Sequence, residues 1–216
     1  MPEGVPGGVP GVETGVETGV EAGGIADEPH TWAVLGTRDI HRDNWVVGIR
    51  EDVVQRPGHP DETFARLVVE HPGAVVVLAV DDDERVCCIR QYRHAGGAVF
   101  VELPAGILDA EGEDPQITAA RELREEVELQ ADDWRRLLTL YPSAGITNEL
   151  HYLYLARGLS YAGRGDFELH AEEAELEVVW VPFEELLDAV LDERVREGPL
   201  AAAVLAYDVL RRRDRL

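Results

Sequence analysis

Three glutamates within one short stretch carry the clearest chemistry in this chain. They lie in Arg121-Glu122-Leu123-Arg124-Glu125-Glu126-Val127-Glu128. At the helical period, Glu122, Glu125 and Glu126 fall within one sector. Glu122 and Glu126 are like charges at i,i+4, which cost an isolated helix about 0.2–0.5 kcal/mol. Arg121 is spaced to pair with Glu125, and Arg124 with Glu128, so neither arginine is expected to offset the 122/126 pair. A hard divalent cation would offset it. Mg²⁺ takes carboxylate oxygens, keeps part of its water and is completed by substrate phosphates.

The residues upstream sharpen this reading. Glu102-Leu-Pro-Ala-Gly106 closes a predicted strand with a turn. Gly106 permits a backbone geometry that exposes the Ala105 carbonyl, and Gly112-Glu113 precedes the helix. The helix is expected over Asp114–Leu129, with Asp114 as N-cap and Pro115 in its first turn. Ile117, Ala120, Leu123 and Val127 are spaced to give its apolar face. A strand, a glycine loop and a glutamate-rich helix together make a constellation able to hold cations against a pyrophosphate.

The elements that must position these residues read as a mixed α/β chain. Strands are expected at Val34–Ile40, Trp45–Val54, Thr63–Glu70, Ala74–Val80, Arg85–Tyr92, Val99–Leu103, Leu137–Tyr141, His151–Ala156 and Leu176–Val181. Helices are expected at Phe183–Leu191 and Pro199–Arg211. Ala74–Val80 is continuously apolar, which predicts a strand buried on both faces. The Asp81-Asp-Asp-Glu84 turn suggests that it forms a hairpin with Arg85–Tyr92.

Composition narrows the function classes. The 216 residues include 43 acids and 20 bases, for a net charge of −23. A nucleic-acid binder would show a basic face, and an anionic lipid surface would repel such a chain. The longest apolar run is far below the ~20 residues of a membrane span. Neither nucleic acid nor membrane is therefore expected as a partner. Cys87 and Cys88 are adjacent and, on a strand, face opposite ways, so no bridge between them is expected. A reducing cytoplasm fits, and no signal peptide is visible at the N-terminus. Residues 1–28, with Gly-Val-Glu-Thr repeats, read as a disordered acidic, Gly-rich tail.

Gly106, six residues, Glu113, seven residues and then Arg121 to Leu129 resemble the Nudix box. From about Arg50 to Leu210 the chain is similar to the ADP-ribose pyrophosphatase branch of the Nudix hydrolases. Gln91-Tyr92-Arg93, the Glu102–Gly106 lead-in, Ser143-Ala-Gly-Ile-Thr-Asn-Glu149 and Glu172-Glu173-Ala-Glu175 carry that likeness. Three departures stand out. The loop before Glu113 is one residue longer than usual, Glu128 replaces the motif's last glycine, and Ala144 stands where a proline is common.

The resemblance implies an α/β/α sandwich with a mixed sheet over residues 71–216. It also implies an N-terminal strand region, 29–70, that builds a homodimer. It implies Mg²⁺, with Mn²⁺ as the other candidate, held by the Ala105 carbonyl, Glu122 and Glu126. Glu125 would assist and Glu113 would stand behind them. Glu173 or Glu172 would activate water, with Glu149 a third candidate. Arg93, Glu102 and Arg56 would contact substrate, and Arg50 is a weaker candidate. The reaction expected is hydrolysis of ADP-ribose to AMP and ribose 5-phosphate. The alternatives are a pyrophosphatase acting on another nucleotide sugar such as GDP-mannose, or a non-catalytic Nudix-like nucleotide sensor. The four box glutamates argue against the sensor.

Overall fold

A computed structural model describes residues 24–43, 46–110, 112–165, 167–169 and 174–216. Most of the expected acidic tail therefore lies outside the described residues. The strands are β1 (Ala33–His41), β2 (Gly48–Gln55), β3 (Thr63–Glu70), β4 (Ala74–Ala79), β5 (Arg85–Arg93), β6 (Ala98–Glu102), β7 (Ala105–Ile107), β8 (Leu129–Leu140), β9 (His151–Tyr161) and β10 (Glu177–Pro182). The helices are α1 (Pro115–Val127), α2 (Phe183–Leu191) and α3 (Gly198–Arg212).

Three sheets result, in the orders β1-β2-β3, β10-β5-β6 and β7-β4-β9-β8. β4 runs parallel to β9 and antiparallel to β7. Its side chains alternate between two cores, as a strand period of two requires. Val75, Val77 and Ala79 meet Ala119, Leu123 and Val127 of α1. Val76 and Leu78 meet α2 and α3 through Phe183, Leu186, Leu200 and Tyr207. The expected α/β/α sandwich is thus built around a strand buried on both faces. Cys87 and Cys88 also divide between the two cores, and both are free thiols.

The hairpin expected between Ala74–Val80 and Arg85–Tyr92 does not form. Only Val80 bridges Val86, and β5 leaves to pair with β6 and β10. Burial on both faces makes β4 a central strand, so its two neighbours are already β7 and β9. The strand expected at Leu137–Tyr141 begins earlier, at Leu129. As a sheet edge, β8 tolerates the polar Gln130–Arg136 stretch that hid it. A register shift between Arg136 and Leu138 then turns Leu137 inward.

Helix α1 is rotated from its expected face. Ile117 and Ala120 are exposed, while Thr118, Ala119, Leu123, Glu126 and Val127 are buried. Asp114 caps it by accepting from the Gln116 N–H at 2.9 Å. At the other end Glu128 takes the left-handed conformation, φ 60°, that favours the glycine usual at this place in the motif it resembles. The helix consequently ends at Val127, two residues before the expected stop.

Candidate active site

The β6–β7 turn and α1 are fitted to each other through two glutamates. Glu126 is only 5% exposed, and its Oε2 accepts the Ala105 N–H at 2.9 Å. This polar attachment explains why a carboxylate lies on the buried side of α1. Gly106 faces Glu122 so closely that a β-carbon there would lie 2.1 Å from the Glu122 carboxyl carbon. Only a residue without a side chain leaves Glu122 where it is.

Arg121 organises the remaining acids. Its Nη1 lies 2.8 Å from Glu122 Oε1 and 3.4 Å from Glu125 Oε2. Its Nη2 lies 3.2 Å from Asp109 and 4.0 Å from Glu113. The expectation that no arginine offsets Glu122 is therefore corrected: Arg121 does so directly. Glu113 Oε2 accepts from the Thr118 hydroxyl at 2.7 Å, which ties the loop before α1 to its second turn. The expected Arg124–Glu128 pair is replaced, because Arg124 Nε donates to the Gly163 carbonyl at 2.9 Å.

A cleft of about 530 Å³ opens over these groups, within the usual size of a small-molecule site. Ala105, Glu122, Glu125 and Glu126 line one side, with Arg93 and Glu102 at their flank. Glu102 accepts from Arg93 Nε and Nη2, the latter at 2.6 Å. That bidentate bond holds the guanidinium firmly charged. That bond engages Nε and Nη2 and does not use Nη1. Arg56 is placed elsewhere: it lies on the β2–β3 turn, paired with Glu62 at 2.9 Å, and does not line the cleft. Arg50 is similarly occupied by Asp52 and Glu70. In a chain rich in acids, these two arginines found structural partners. Glu172 and Glu173 lie outside the described residues.

The lining of the cleft also holds a cluster that the sequence did not reveal, His71, Glu149 and His151. Glu149 Oε1 lies 2.7 Å from His151 Nε2 and 3.5 Å from His71 Nδ1. His71 Nδ1 accepts the Gly73 N–H at 3.1 Å, so its proton belongs on Nε2. Burial pulls the His71 pKa below its ordinary value. Glu149 opposes that shift, and His151 adds to it. His71 precedes β4 and His151 opens β9, and the parallel register Ala74↔His151 brings them to the same end. The Asn148 side chain accepts the His71 N–H at 2.9 Å, stitching the two segments together. No local spacing could have shown this pairing; it exists only through the topology.

Glu197 was also missed. It caps α3 by accepting the Leu200 N–H at 2.6 Å and faces the cleft beside Arg93 and Glu102. Burial pushes its carboxyl up to about 7, against the capping bond; Glu102 adds to the rise and Arg93 opposes it. Buried polar side-chain atoms nearly always have partners. Among the described residues, the two exceptions are Gln91 Oε1 and His151 Nδ1, both on residues lining this cleft.

Among the described residues no three acidic, imidazole or thiol groups form a preformed metal cage. Mg²⁺ does not need one, since one or two carboxylates, water and substrate phosphates commonly suffice. The donors here are hard oxygens, and the Gly106–Glu122 approach keeps one of them against the loop, so the residues fit a hard divalent cation. Cysteine chemistry does not fit, because burial pushes both thiols up to about 12. No helix among the described residues is long and apolar enough to cross a membrane.

Comparison with known proteins agrees with this geometry. A family model described as NUDIX domain matches residues 70–203. The chain is 41% identical over 177 residues to an ADP-ribose pyrophosphatase of Mycobacterium tuberculosis (strain ATCC 25618 / H37Rv), covering 82% of this chain and 83% of that protein. It is 37% identical over 139 residues to an ADP-ribose pyrophosphatase of Bacillus subtilis (strain 168), covering 64% and 74%. A solved structure titled as an ADP compounds hydrolase shares the fold, with a TM-score of 0.69 at 20% identity, covering 88% of this chain and all of that one. The matched region contains α1, the β6–β7 turn and the walls of the cleft, and the chain belongs to the Nudix family.

Proposed function

We propose that this protein hydrolyses the pyrophosphate bond of ADP-ribose, giving AMP and ribose 5-phosphate, with Mg²⁺ as the working cation. The observation that carries the reading is the junction of the β6–β7 turn with α1. There Glu126 binds the Ala105 N–H and Gly106 makes room for Glu122. Nudix hydrolases generally use divalent metal ions. The Ala105 carbonyl, Glu122 and Glu126 would hold the cation, with Glu125 assisting. When bound, it neutralises charge on the pyrophosphate and makes water easier to deprotonate. Mn²⁺ has the same preference for hard oxygen ligands.

The chain's own residues divide the remaining work. Arg121 keeps Glu122 and Glu125 in one sector, and Glu113 holds Arg121 and Thr118 in register. Arg93, oriented by Glu102, offers a directional donor to a phosphate oxygen. Glu173 or Glu172 takes the proton from attacking water, and the leaving phosphate departs with the electron pair of the broken P–O bond. ADP-ribose is favoured over GDP-mannose because the relatives named for ADP-ribose hydrolysis are more nearly identical to this chain than those named for GDP-mannose hydrolysis.

A homodimer fits the N-terminal region. In the β1-β2-β3 sheet, β1 is exposed along its whole length and presents Val34, Leu35 and Ile40. Such an edge with apolar residues is suited to a second copy. Residues 29–70 would then serve assembly and residues 71–216 catalysis, in the cytoplasm. The direct test of function is a liquid chromatography–mass spectrometry screen of nucleoside diphosphate derivatives with Mg²⁺, with and without chelator.

A further inference from the structure

We infer that Arg164 is a positioning residue for the metal-binding carboxylates, acting through the main chain at the end of α1; this rests on the metal-dependent reading above. The last carbonyls of any helix lack partners within it. In α1 the Arg124 carbonyl accepts the Glu128 N–H at 3.0 Å, and the left-handed turn at Glu128 ends the helix there. The next two carbonyls belong to Glu125 and Glu126. Arg164 supplies both their donors: Nε to the Glu125 carbonyl, and Nη2 to the Glu126 carbonyl at 2.9 Å. Its Nη1 lies 3.8 Å from the Glu128 carboxylate. One guanidinium thus closes the last turn of α1 at Glu125 and Glu126, two of the residues whose side chains line the cleft.

The arginine is itself held. Gly163 and Gly165 on either side have φ of 65° and 70°, a conformation that L side chains rarely adopt. The Ala162 N–H donates to the Glu128 carbonyl at 2.9 Å, and Arg124 donates to the Gly163 carbonyl at 2.9 Å. The segment after β9 is therefore fastened to α1 in both directions. Arg164 is only 27% exposed, and its charge sits where the helix dipole favours a cation. Helix ends fray in their last turn, and fraying here would swing Glu126 away from Ala105 and Glu125 away from Arg121. A guanidinium fork can restrain two adjacent carbonyls at once, whereas an ammonium cannot match that geometry.

Binding of Mn²⁺ alone to the full-length protein tests this, read by electron paramagnetic resonance of the free ion without substrate. Arg164→Ala should weaken Mn²⁺ binding about 10- to 100-fold, the range seen when residues supporting metal ligands are lost. Arg164→Lys should fall between that variant and wild type. A folded Arg164→Ala with wild-type Mn²⁺ affinity, even if its melting temperature drops, would show a merely structural role and overturn the inference. Should Arg164→Ala fail to fold, Arg164→Lys decides, since wild-type affinity there would refute the need for the fork. Glu126→Gln is the control for the parent reading. If it binds Mn²⁺ like wild type, or if wild type binds none, the metal site itself is wrong and the inference falls with it.

Discussion

Gly106 and Glu122 occupy space that no other residue at 106 would allow, since a β-carbon would stand 2.1 Å from the Glu122 carboxyl carbon. The obstacle is the far part of a flexible side chain, not backbone. Gly106→Ala should therefore fold, with a melting temperature within a few degrees of wild type, while Glu122 is pushed off the loop. We expect kcat to fall by about 10- to 100-fold. Calorimetry beside steady-state kinetics checks this; unchanged kcat would mean that the position of Glu122 is immaterial.

Glu126→Gln separates chemistry from folding. Its amide oxygen can still accept the Ala105 N–H, and one of two repelling charges is gone. Apo stability should hold or rise by up to about 0.5 kcal/mol, with kcat severely reduced. A large loss of stability on thermal melting would mark Glu126 as a structural residue.

Glu197 should make stability depend on pH. Its folded-state pKa is about 7, raised from 4.5 chiefly by burial, so the fold favours the protonated acid. That contribution is complete below the unfolded value and is lost as pH rises through about 7. It is worth up to about 3 kcal/mol. Glu197→Gln stays neutral and keeps an acceptor for the Leu200 N–H. Its melting temperature should exceed wild type above pH 7 and converge with it near pH 4.5. Parallel melting curves across that range would contradict this account.

Arg93→Lys should keep the charge beside Glu102 and lose the fork. If Arg93 holds ground and transition states equally, KM rises with little change in kcat. Substrate titration measures both constants, and wild-type values for both would remove Arg93 from the site.

Local spacing carried much of this site and distance carried the rest. Glu122, Glu125 and Glu126 were legible because helical periodicity puts them in one sector, and Gly106 because it precedes them in a compact motif. The rotated face of α1 was only half legible: Leu123 and Val127 are buried as apolar spacing predicts, but Thr118 and Glu126 are buried with them, and the Glu126–Ala105 hydrogen bond that accommodates the carboxylate has no signal in apolar periodicity. The β4–β5 hairpin was misread for a related reason, since a turn sequence does not say which sheet each strand will join. His71 meets Glu149 and His151 only through the parallel β4–β9 register, and Glu197 reaches the cleft only through the packing of α3. Arg56 shows the converse limit. Its residue type suited a phosphate, but Glu62 on the same turn is its partner.

Hydrolysis of ADP-ribose, followed by mass spectrometry in Mg²⁺ and again with excess EDTA, tests the central claim most directly. AMP and ribose 5-phosphate should appear together with Mg²⁺, and both should vanish with EDTA. Undiminished turnover in EDTA would contradict the metal-dependent mechanism, and no turnover of ADP-ribose beside rapid hydrolysis of another nucleotide sugar would contradict the substrate.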